Sequence, residues 1–495
     1  MSAITITNLS FSYDNSYDDI FTNVSVVLDT DWKLGFCGRN GRGKTTFLKL
    51  LMREYEYSGT INANVQFDFF PPKIDNSDNN AQEILEKIAP NALAWQIKKE
   101  FAFLNLNEGV LYRSFNTLSN GEQTKVFLAG LFLNDNKFLL IDEPTNHLDS
   151  GSREIVAKYL NSKKGFILVS HDRAFLDICI DHILSINKSN IEVISGNFST
   201  WYSQKQKQDA FEISENQKLE KQIDRLENSV KQTTNWANKA ENRKIGIDPL
   251  KVDNKMGFRV SQGAKSKKKM SQAGAIQKRL QTDIENKSGL LKNVESSFSL
   301  KLQPLKHHSN RLVALKDIAI EYDGYKVLKD FNLDISHGDR VALVGGNGSG
   351  KSSIIKLILG QDIPYVGQAE LAGGLIISYV PQDVSFLTRN LTDFALENNI
   401  DETLFKAILH KLDFSKTQFD KDIKDFSMGQ KKKVLIAKSL ATHAHLYIWD
   451  EPLNYVDIMS RMQIEELISA YKPTMIFVEH DKVFVDKIAT GVAEL

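Results

Sequence analysis

The sequence predicts an α/β fold in which two copies of one domain, each built around a largely parallel sheet, are joined by a long helical hairpin. Three observations support this prediction. Short apolar strands alternate with amphipathic helices in both halves of the chain. Four motifs of the first half return in the same order in the second half. The segment between the halves has apolar residues at helical spacing.

The repeated motifs define the two copies. GRNGRGKTT, LSNGEQTKV, FLLIDEPTNHLD and ILVSHDRAF return as GGNGSGKSS, FSMGQKKKV, LYIWDEPLNYVD and IFVEHDKVF, at a nearly constant separation. A duplicated domain with an insertion between its copies explains this order. We therefore predict a first domain at 1–203, a linker at 204–306 and a second domain at 307–495.

The composition is that of an ordinary globular protein. The chain has 495 residues, is 42% hydrophobic and 25% charged, and has a formal net charge of zero. The amino terminus does not look like a secretory signal, and the apolar runs stop far short of the roughly 20 residues that cross a bilayer. We expect a cytoplasmic protein without a membrane partner. The two cysteines, Cys37 and Cys179, are expected to be buried structural residues.

The motif Gly-x-x-x-x-Gly-Lys-Ser/Thr occurs once in each copy, between a strand and a helix. Its glycines allow backbone N–H groups to surround phosphates at a helix N-terminus, its lysine supplies a cation, and its hydroxyl reaches Mg²⁺. The predicted nucleotide-binding residues are Gly38, Arg39, Asn40, Gly41, Arg42, Gly43, Lys44, Thr45 and Thr46 in the first copy, and Gly345, Gly346, Asn347, Gly348, Ser349, Gly350, Lys351, Ser352 and Ser353 in the second.

Each copy also has acidic residues and a histidine directly after predicted strands. An aspartate at such a strand end can hold Mg²⁺ through water, and the glutamate that follows it can polarise an attacking water. A histidine after another strand is placed to contact the γ-phosphate. These candidates are Asp142, Glu143 and His171 in the first copy and Asp450, Glu451 and His480 in the second.

An aromatic residue precedes each phosphate-binding motif by a similar distance. Tyr13 and Tyr322 are candidates to stack on adenine. The alternative is that both are packed within a strand-rich core. Composition and spacing leave these two interpretations open.

The order P-loop, Ser-x-Gly-Glu/Gln, Asp-Glu-Pro and downstream His resembles that of the ATP-binding-cassette ATPases in both halves. In that family two cassettes close head to tail on two ATP molecules, and hydrolysis lets them open. The resemblance implies two ATP and Mg²⁺ as cofactors, and a monomer whose own cassettes pair. It implies that Ser427 and Gly429 complete the first ATP site, while Ser119 and Gly121 complete the second.

Two positions depart from the family pattern. The family usually has a glutamine that contacts magnesium after the strand NVQFDFFP, but Pro72 stands there, whereas Gln382 is present in the second half. The first site is therefore expected to be slower or less tightly coupled. The second signature reads FSMGQ, in which Phe426 and Met428 replace the usual leucine and glycine. We expect both sites to bind ATP and at least one to hydrolyse it.

The narrower resemblance is to the F branch, whose members have two fused cassettes, no transmembrane domain and a long charged linker. DEPTNHLD at 142–149 is the string typical of that branch, and GNFSTWY at 196–202 resembles its exit into the linker. DTDWKLGFCGRNGRGKTT, SMGQKKKVLIAKSL and LYIWDEPLNY resemble the Lsa-type antibiotic-resistance proteins. That resemblance implies a ribosome-protection factor that binds the tRNA exit site of the 70S ribosome. Its linker would point to the peptidyl-transferase centre and counter lincosamides, streptogramin A and pleuromutilins.

The linker predicts two helices that pair as an antiparallel hairpin. Its apolar stripes are Leu219, Ile223, Leu226 and Val230, then Ile276, Leu280, Ile284, Leu291 and Val294. Residues 231–280 hold thirteen Lys or Arg and three acidic residues. This charge fits RNA phosphates, and interleaved apolar residues can stack on unpaired bases. The predicted contacts to large-subunit rRNA and the peptidyl-site tRNA are Lys244, Lys255, Met256, Phe258, Arg259, Lys265, Lys267, Lys268 and Lys269.

Two other functions remain open on the sequence. A housekeeping F-branch translation factor would act on stalled ribosomes without a drug. The long, irregular tip at 245–270 favours resistance, since reaching a drug pocket needs residues beyond the helices. A duplicated ATPase subunit of a membrane importer is the remote alternative, and the long basic linker and Pro72 both argue against it.

Overall fold

The structure is a computed structural model. It describes residues 2–13, 19–74, 78–134, 136–146, 148–186, 191–245, 304–322, 325–346 and 348–495, together with isolated positions between 271 and 282. The chain forms two compact units. One unit combines Met1–Trp201 with Phe298–Leu495, and the other is Tyr202–Ser297. Both repeated halves therefore belong to the same unit.

The first half contains a mixed six-stranded sheet and a small antiparallel sheet. The six-stranded sheet has the order β5-β6-β7-β3-β8-β9, parallel except for the β8–β9 pair, and the antiparallel sheet has the order β2-β1-β4. The strands are β1 (Ala3–Phe11), β2 (Phe21–Asp29), β3 (Lys33–Cys37), β4 (Ser58–Asn62), β5 (Gln66–Phe70), β6 (Lys137–Asp142), β7 (Phe166–Val169), β8 (His182–Ile186) and β9 (Ile191–Ser195).

The second half repeats this arrangement. Its five-stranded parallel sheet has the order β14-β15-β16-β12-β17, which matches β5-β6-β7-β3-β8 strand for strand, and its antiparallel sheet has the order β11-β10-β13. The strands are β10 (Arg311–Tyr322), β11 (Tyr325–Ser336), β12 (Arg340–Val344), β13 (Tyr365–Leu371), β14 (Ile377–Val380), β15 (Leu446–Asp450), β16 (Met475–Val478) and β17 (Gly491–Glu494).

Helices cover the parallel sheets and carry the repeated motifs. In the first half they are α1 (Lys44–Leu51), α2 (Ala81–Ile88), α3 (Ala94–Phe103), α4 (Asn120–Phe132), α5 (Ser150–Asn161), α6 (Arg173–Cys179) and α7 (Phe198–Ile245). In the second half they are α8 (Lys351–Ile358), α9 (Leu391–Glu397), α10 (Glu402–Lys411), α11 (Lys416–Phe419), α12 (Met428–Ala441), α13 (Ile458–Tyr471) and α14 (Lys482–Ile488).

The core of each half lies on the two faces of its parallel sheet. Every residue of β7 and of β16 is buried, as expected for central parallel strands that helices cover on both faces. Cys37 and Cys179 are buried free thiols, as the sequence predicted. The prediction of an α/β fold with tandem domains is thus confirmed, and the antiparallel sheet of each half is an addition to it.

The linker begins as α7, which has 48 residues. Its first turn still belongs to the core, since Phe198 and Trp201 are buried there with ring centroids 5.4 Å apart. The predicted tip at 245–270, apart from its first residue, and most of the returning helix lie outside the described residues. Among the residues that the structure describes, no helix is long and apolar enough to cross a membrane.

Candidate active site

The first P-loop connects β3 to α1 and turns on glycines with left-handed backbone. Gly41 has φ 81° and Gly43 has φ 89°, a region that residues with a Cβ rarely adopt. A Cβ on Gly43 would lie 2.6 Å from Ile20 Cγ2, so glycine is needed there for space as well. The loop thereby presents backbone N–H groups at the start of α1, the arrangement that binds phosphate.

Lys44 lies buried within this loop. Its Nζ donates hydrogen bonds to the carbonyl oxygens of Gly38 and Arg39 at 2.7 and 3.1 Å. Burial lowers the pKa of Lys44, although Asp457 and Glu143 oppose that shift. An ammonium that is held by carbonyls of its own loop can turn to a phosphate without moving the backbone.

Four predicted polar residues lie beside Lys44. Thr45 Oγ1 donates to Asp142 Oδ2 at 3.0 Å, and His171 Nε2 lies 3.2 Å from Glu143 Oε1. Burial raises the pKa of Asp142, and burial together with the charge of Asp142 raises the pKa of Glu143 to about 8. Among the described residues, neither carboxylate oxygen of Glu143 has a well-formed hydrogen bond. A hydroxyl–carboxylate pair beside a buried glutamate whose oxygens lack such bonds fits a site for Mg²⁺.

The second half completes this site. A cavity of 590 Å³ is lined by the P-loop, Asp142, Glu143 and His171 from the first half and by Ser427, Met428, Gly429 and Tyr455 from the second. Asn40 Nδ2 donates to the carbonyl oxygen of Tyr455 at 2.8 Å. Arg39 Nη1 lies 3.1 Å from Asp413 Oδ1. A nucleotide in this cavity would contact both halves of the chain.

Ser427 is positioned by a capping box at the start of α12. Its Oγ accepts a hydrogen bond from Gln430 N, and its own N donates to Gln430 Oε1 at 2.9 Å. Gly429 follows in the first turn, where a Cβ would lie 2.3 Å from Tyr455 O. The helix start therefore offers a hydroxyl and free N–H groups to an anion in the cavity.

The second P-loop repeats the geometry of the first. Lys351 Nζ donates to the carbonyl oxygens of Gly345 and Gly346 at 3.0 and 2.7 Å. Ser352 Oγ donates to Asp450 Oδ2 at 3.3 Å. Burial lowers the pKa of Lys351 and raises the pKa of Asp450, as it does for their counterparts in the first half.

Glu451 has partners that Glu143 lacks. Its Oε2 accepts hydrogen bonds from Gln382 at 2.8 Å and from Asn454 at 2.7 Å, and His480 Nε2 lies 3.7 Å from Oε1. Burial alone would raise the pKa of Glu451, but His480 and Gln382 leave it below its usual value. At the position of Gln382 the first half has Pro72, which faces a neighbouring cavity of 580 Å³.

Both glutamates have an unusual backbone. Glu143 has φ 51° and Glu451 has φ 47°, a left-handed conformation that is rare for residues other than glycine, asparagine and aspartate. Each N–H donates to the last residue of the adjacent strand, Glu143 to Val169 O at 2.9 Å and Glu451 to Val478 O at 3.1 Å. Such conformations concentrate at functional sites, because the surrounding structure must hold them.

The tyrosines and the second signature differ from the other candidates. Tyr13 Oη lies 2.9 Å from Thr46 Oγ1, and Tyr322 donates to Ser353 at 3.3 Å, so both lie at the P-loops. Ser119 N donates to Glu122 Oε2 at 2.8 Å within its own capping box. None of the hydrogen bonds between described residues joins Ser119 or Gly121 to the second P-loop. Asn347 and the linker-tip contacts from Lys255 to Lys269 lie outside the described residues, as does the side chain of Lys244.

Comparison with known proteins agrees with this site. The family model described as ABC transporter matches residues 21–146 and 328–454, which together make up more than half of the chain. The chain belongs to the ABC transporter family. Each match includes one P-loop and one Asp-Glu pair, so the two halves are ATP-binding cassettes and the protein is an ATPase that uses Mg²⁺.

Curated relatives match almost the whole of this chain, and one of them is named as an ABC transporter F family member. It is 29% identical to the ribosome protection protein VmlR of Bacillus subtilis, over 98% of this chain and 85% of VmlR. It is 26% identical to the ATP-binding protein Uup of Buchnera aphidicola, over 99% and 80%. It is 24% identical to ABC transporter F family member 2 of Arabidopsis thaliana, over 100% and 76%.

Solved structures agree with the tandem fold. The archaeal ribosome recycling factor aABCE1, in a complex with the stalk protein aP1, matches with a TM-score of 0.63 at 18% identity, over 98% of this chain and 87% of that one. A structure named RNase-L Inhibitor matches with a TM-score of 0.61 at 17% identity, over 98% and 86%. At such low identities, the similarity shows a shared fold and nothing about function.

The structure adds residues that the sequence analysis missed. Asp457 of the second cassette acts electrostatically on Lys44 and His171 of the first, and Asp149 of the first acts on Lys351 and His480 of the second. Both aspartates close the repeated motif that begins with Asp-Glu-Pro. Their position at the end of this repeated motif could have marked them as site residues. Only the pairing of the cassettes, however, brings each aspartate to the ATP site of the opposite cassette.

Proposed function

We propose that this protein is a ribosome-acting ATPase of the Lsa type, which protects the ribosome against antibiotics. The observation that carries the proposal is the composite cavity of the first site. There the P-loop of one cassette faces Ser427 and Gly429 of the other. ATP bound between them would keep the cassettes closed, and hydrolysis would release them.

Two such ATP sites are part of the proposal. Lys44, Thr45 and Asp142 would hold Mg²⁺-ATP at the first site, and Glu143 and His171 would act on the attacking water and the γ-phosphate. Lys351, Ser352, Asp450, Glu451 and His480 would do the same at the second, with Gln382 near the metal and Ser119 and Gly121 closing the site. In this structure the hydroxyl–carboxylate pairs fit Mg²⁺, which binds few protein ligands and several phosphate oxygens.

The ribosomal target is supported by the relatives and by the linker. VmlR is named as a ribosome protection protein and matches almost the whole of this chain. The linker starts as a 48-residue helix, and its basic stretch fits rRNA and the peptidyl-site tRNA. We propose that the closed protein, as a cytoplasmic monomer, binds the tRNA exit site. Its linker would then act at the peptidyl-transferase centre against lincosamides, streptogramin A and pleuromutilins.

The antibiotic part is tested in a drug-susceptible strain. Expression of the protein should raise the inhibitory concentrations of lincomycin and tiamulin, and the Glu143→Gln/Glu451→Gln variant should not, because it cannot leave the ribosome. If the wild-type chain raises neither concentration, the resistance proposal is wrong.

A housekeeping factor for stalled ribosomes is the second candidate, and the similarity to Uup proteins favours it. Sedimentation tests what the two candidates share. The Glu143→Gln/Glu451→Gln variant should co-sediment with 70S ribosomes in Mg²⁺-ATP, while Lys44→Met/Lys351→Met should not. A double glutamine variant that stays in the supernatant would contradict both candidates.

A further inference from the structure

The two cassettes are also joined away from the ATP cavity, by a buried ion pair. Arg173 begins α6 of the first cassette, two residues after His171, and pairs with Glu465 of α13 in the second. Glu465 is completely buried and Arg173 is 7% exposed. This pair therefore ties the histidine segment of the first site to the core of the other cassette.

Arg173 lies beside two acidic residues of the second cassette that already have cationic partners within that cassette. Glu465 Oε2 also accepts from Lys487 Nζ at 3.1 Å, and Asp481 accepts from Arg461 at 3.2 Å. Arg173 adds a third cation, 3.8 Å from Asp481, and its Nε is buried without a hydrogen bond. If the cassettes separated here, the acidic residues would keep partners of their own, while Arg173 would return to water.

The residues that correspond to Arg173 and Glu465 in the sequence repeat cannot form this ion pair. The sequence repeat aligns Arg173 with Lys482 and Glu465 with Ala157, which has no charge. Glu154 is an exposed residue whose pKa is lowered by its ion pair with Lys158 in its own helix, with only a smaller effect from Lys482. One side of the interface is thus buried and ion-paired, and the other is solvated.

The buried side is also the side of the first ATP cavity. Asn40 bonds to Tyr455, and Arg39 pairs with Asp413, so three polar contacts hold the first site across the interface. At the second site, no hydrogen bond or ion pair between described residues crosses the interface, and Asp149 acts on Lys351 and His480 only through its charge.

We propose that Arg173 and Glu465 form a one-sided latch between the cassettes. The latch keeps the first composite ATP site assembled while the second site opens. Arg173 is a positioning residue, because it acts through the segment that carries His171. The inference rests on the proposed function, in which each ATP is shared by both cassettes.

The test counts the ATP molecules that the full-length chain retains. In the Glu143→Gln/Glu451→Gln background, Mg²⁺-ATP is added, free nucleotide is removed by gel filtration, and bound ATP is measured per chain. The parent should retain two molecules. Adding Arg173→Met should leave one, and the matched control Lys482→Met should leave two.

A second pair of variants identifies the site that is lost. With Lys351→Met, which removes the second site, Arg173→Met should leave no ATP. With Lys44→Met, which removes the first site, it should still leave one. Two molecules retained by Arg173→Met, or a loss confined to the second site, would overturn the latch.

Two further measurements distinguish a failure of the latch from a folding defect and from a failure of the proposed shared ATP sites. Glu465→Gln keeps the shape of the side chain and removes the charge, so it should reproduce the loss even if Arg173→Met folds poorly. A Glu465→Gln chain that retains both molecules contradicts the latch. A parent that retains fewer than two molecules contradicts the proposed pair of shared sites instead, whatever the latch variants do.

Discussion

Glu143 and Glu451 follow equivalent strands and share the same left-handed backbone conformation. Their carboxylates differ in the hydrogen bonds that hold them in place. Gln382 and Asn454 hold the carboxylate of Glu451, whereas Glu143 lacks a well-formed hydrogen bond among the described residues. A base that is held in place needs less rearrangement to reach the transition state. We expect the second site to hydrolyse ATP faster than the first.

The single glutamine variants test this difference. A general base contributes about 100-fold to 10,000-fold at its own site, so Glu451→Gln should strongly lower the steady-state ATPase rate of the full chain. Glu143→Gln should lower it less, because the slower site contributes less turnover. Rates are measured at saturating Mg²⁺-ATP by phosphate release. Equal losses would show that the polar support of Glu451 does not affect hydrolysis.

A substitution of Gly429 tests whether ATP binding requires the close approach of the two cassettes at the composite cavity. A Cβ there would lie 2.3 Å from Tyr455 O and 2.9 Å from Asn40 Nδ2, which bond to each other across the interface. Gly429→Ala should therefore separate the cassettes locally and weaken ATP binding by about 1–3 kcal/mol, the usual cost of overpacking. Titration with a fluorescent ATP analogue measures the change.

The control for that variant is Gly373→Ala. No heavy atom of the other described residues, chain neighbours aside, lies within 4 Å of a Cβ at Gly373, so the affinity of this variant for nucleotide should match that of the wild type. If Gly429→Ala binds as tightly as Gly373→Ala, the close approach of the second signature to Tyr455 is not required for binding.

At the scale of elements, α12 and α13 are joined by a buried ion pair. Lys433 Nζ of α12 lies 2.7 Å from Asp457 Oδ2, the N-cap residue of α13. Burial alone would raise the pKa of Asp457, but Lys433 holds it well below its usual value. A depressed carboxyl pKa adds stability above the pKa of the unfolded chain, about 3.9, and this stability is lost as pH falls through the folded pKa.

Replacing Lys433 should remove that stability at neutral pH. Lys433→Met leaves Asp457 buried without its partner, so unfolding free energy should fall by about 3–5 kcal/mol at pH 7. The difference from the wild type should shrink as pH falls, first because burial raises the pKa of Asp457 in the variant so that it becomes protonated, and below about 3.9 because the wild type loses the stability of its ionised Asp457. Urea unfolding at several pH values measures this, and a difference that does not depend on pH would contradict the assignment.

The elements show how far the sequence could predict this structure. Strand–loop–helix order around Lys44 and Lys351 was predictable, because a P-loop requires glycines and a lysine at fixed positions. The antiparallel sheets were not recognised, because strands such as β13 are largely exposed and lack an apolar stripe. The roles of Asp149 and Asp457 depend on which cassette surface faces which, and local sequence patterns carry no information on that contact.

For the whole molecule, ATP should act as a connection between the cassettes. The first cavity takes its lining from both halves, so a nucleotide there should bind the closed pair more tightly than one cassette alone. A ligand that binds only the folded, paired state stabilises it by about 2.7 kcal/mol at a concentration 100 times its Kd. The stabilisation by ATP should therefore depend on both P-loops.

Calorimetry of the Glu143→Gln/Glu451→Gln variant measures this connection. Mg²⁺-ATP should raise the Tm by roughly 5–10 °C, since 1 kcal/mol shifts the Tm of a domain of this size by about 2–4 °C. Chelation of Mg²⁺ should return the Tm to that of the free protein, because the metal neutralises the phosphates beside Asp142 and Asp450. Adding Lys44→Met should remove the part of the shift that belongs to the first cavity. If that variant is stabilised as strongly as its parent, ATP in the first cavity does not join the two cassettes.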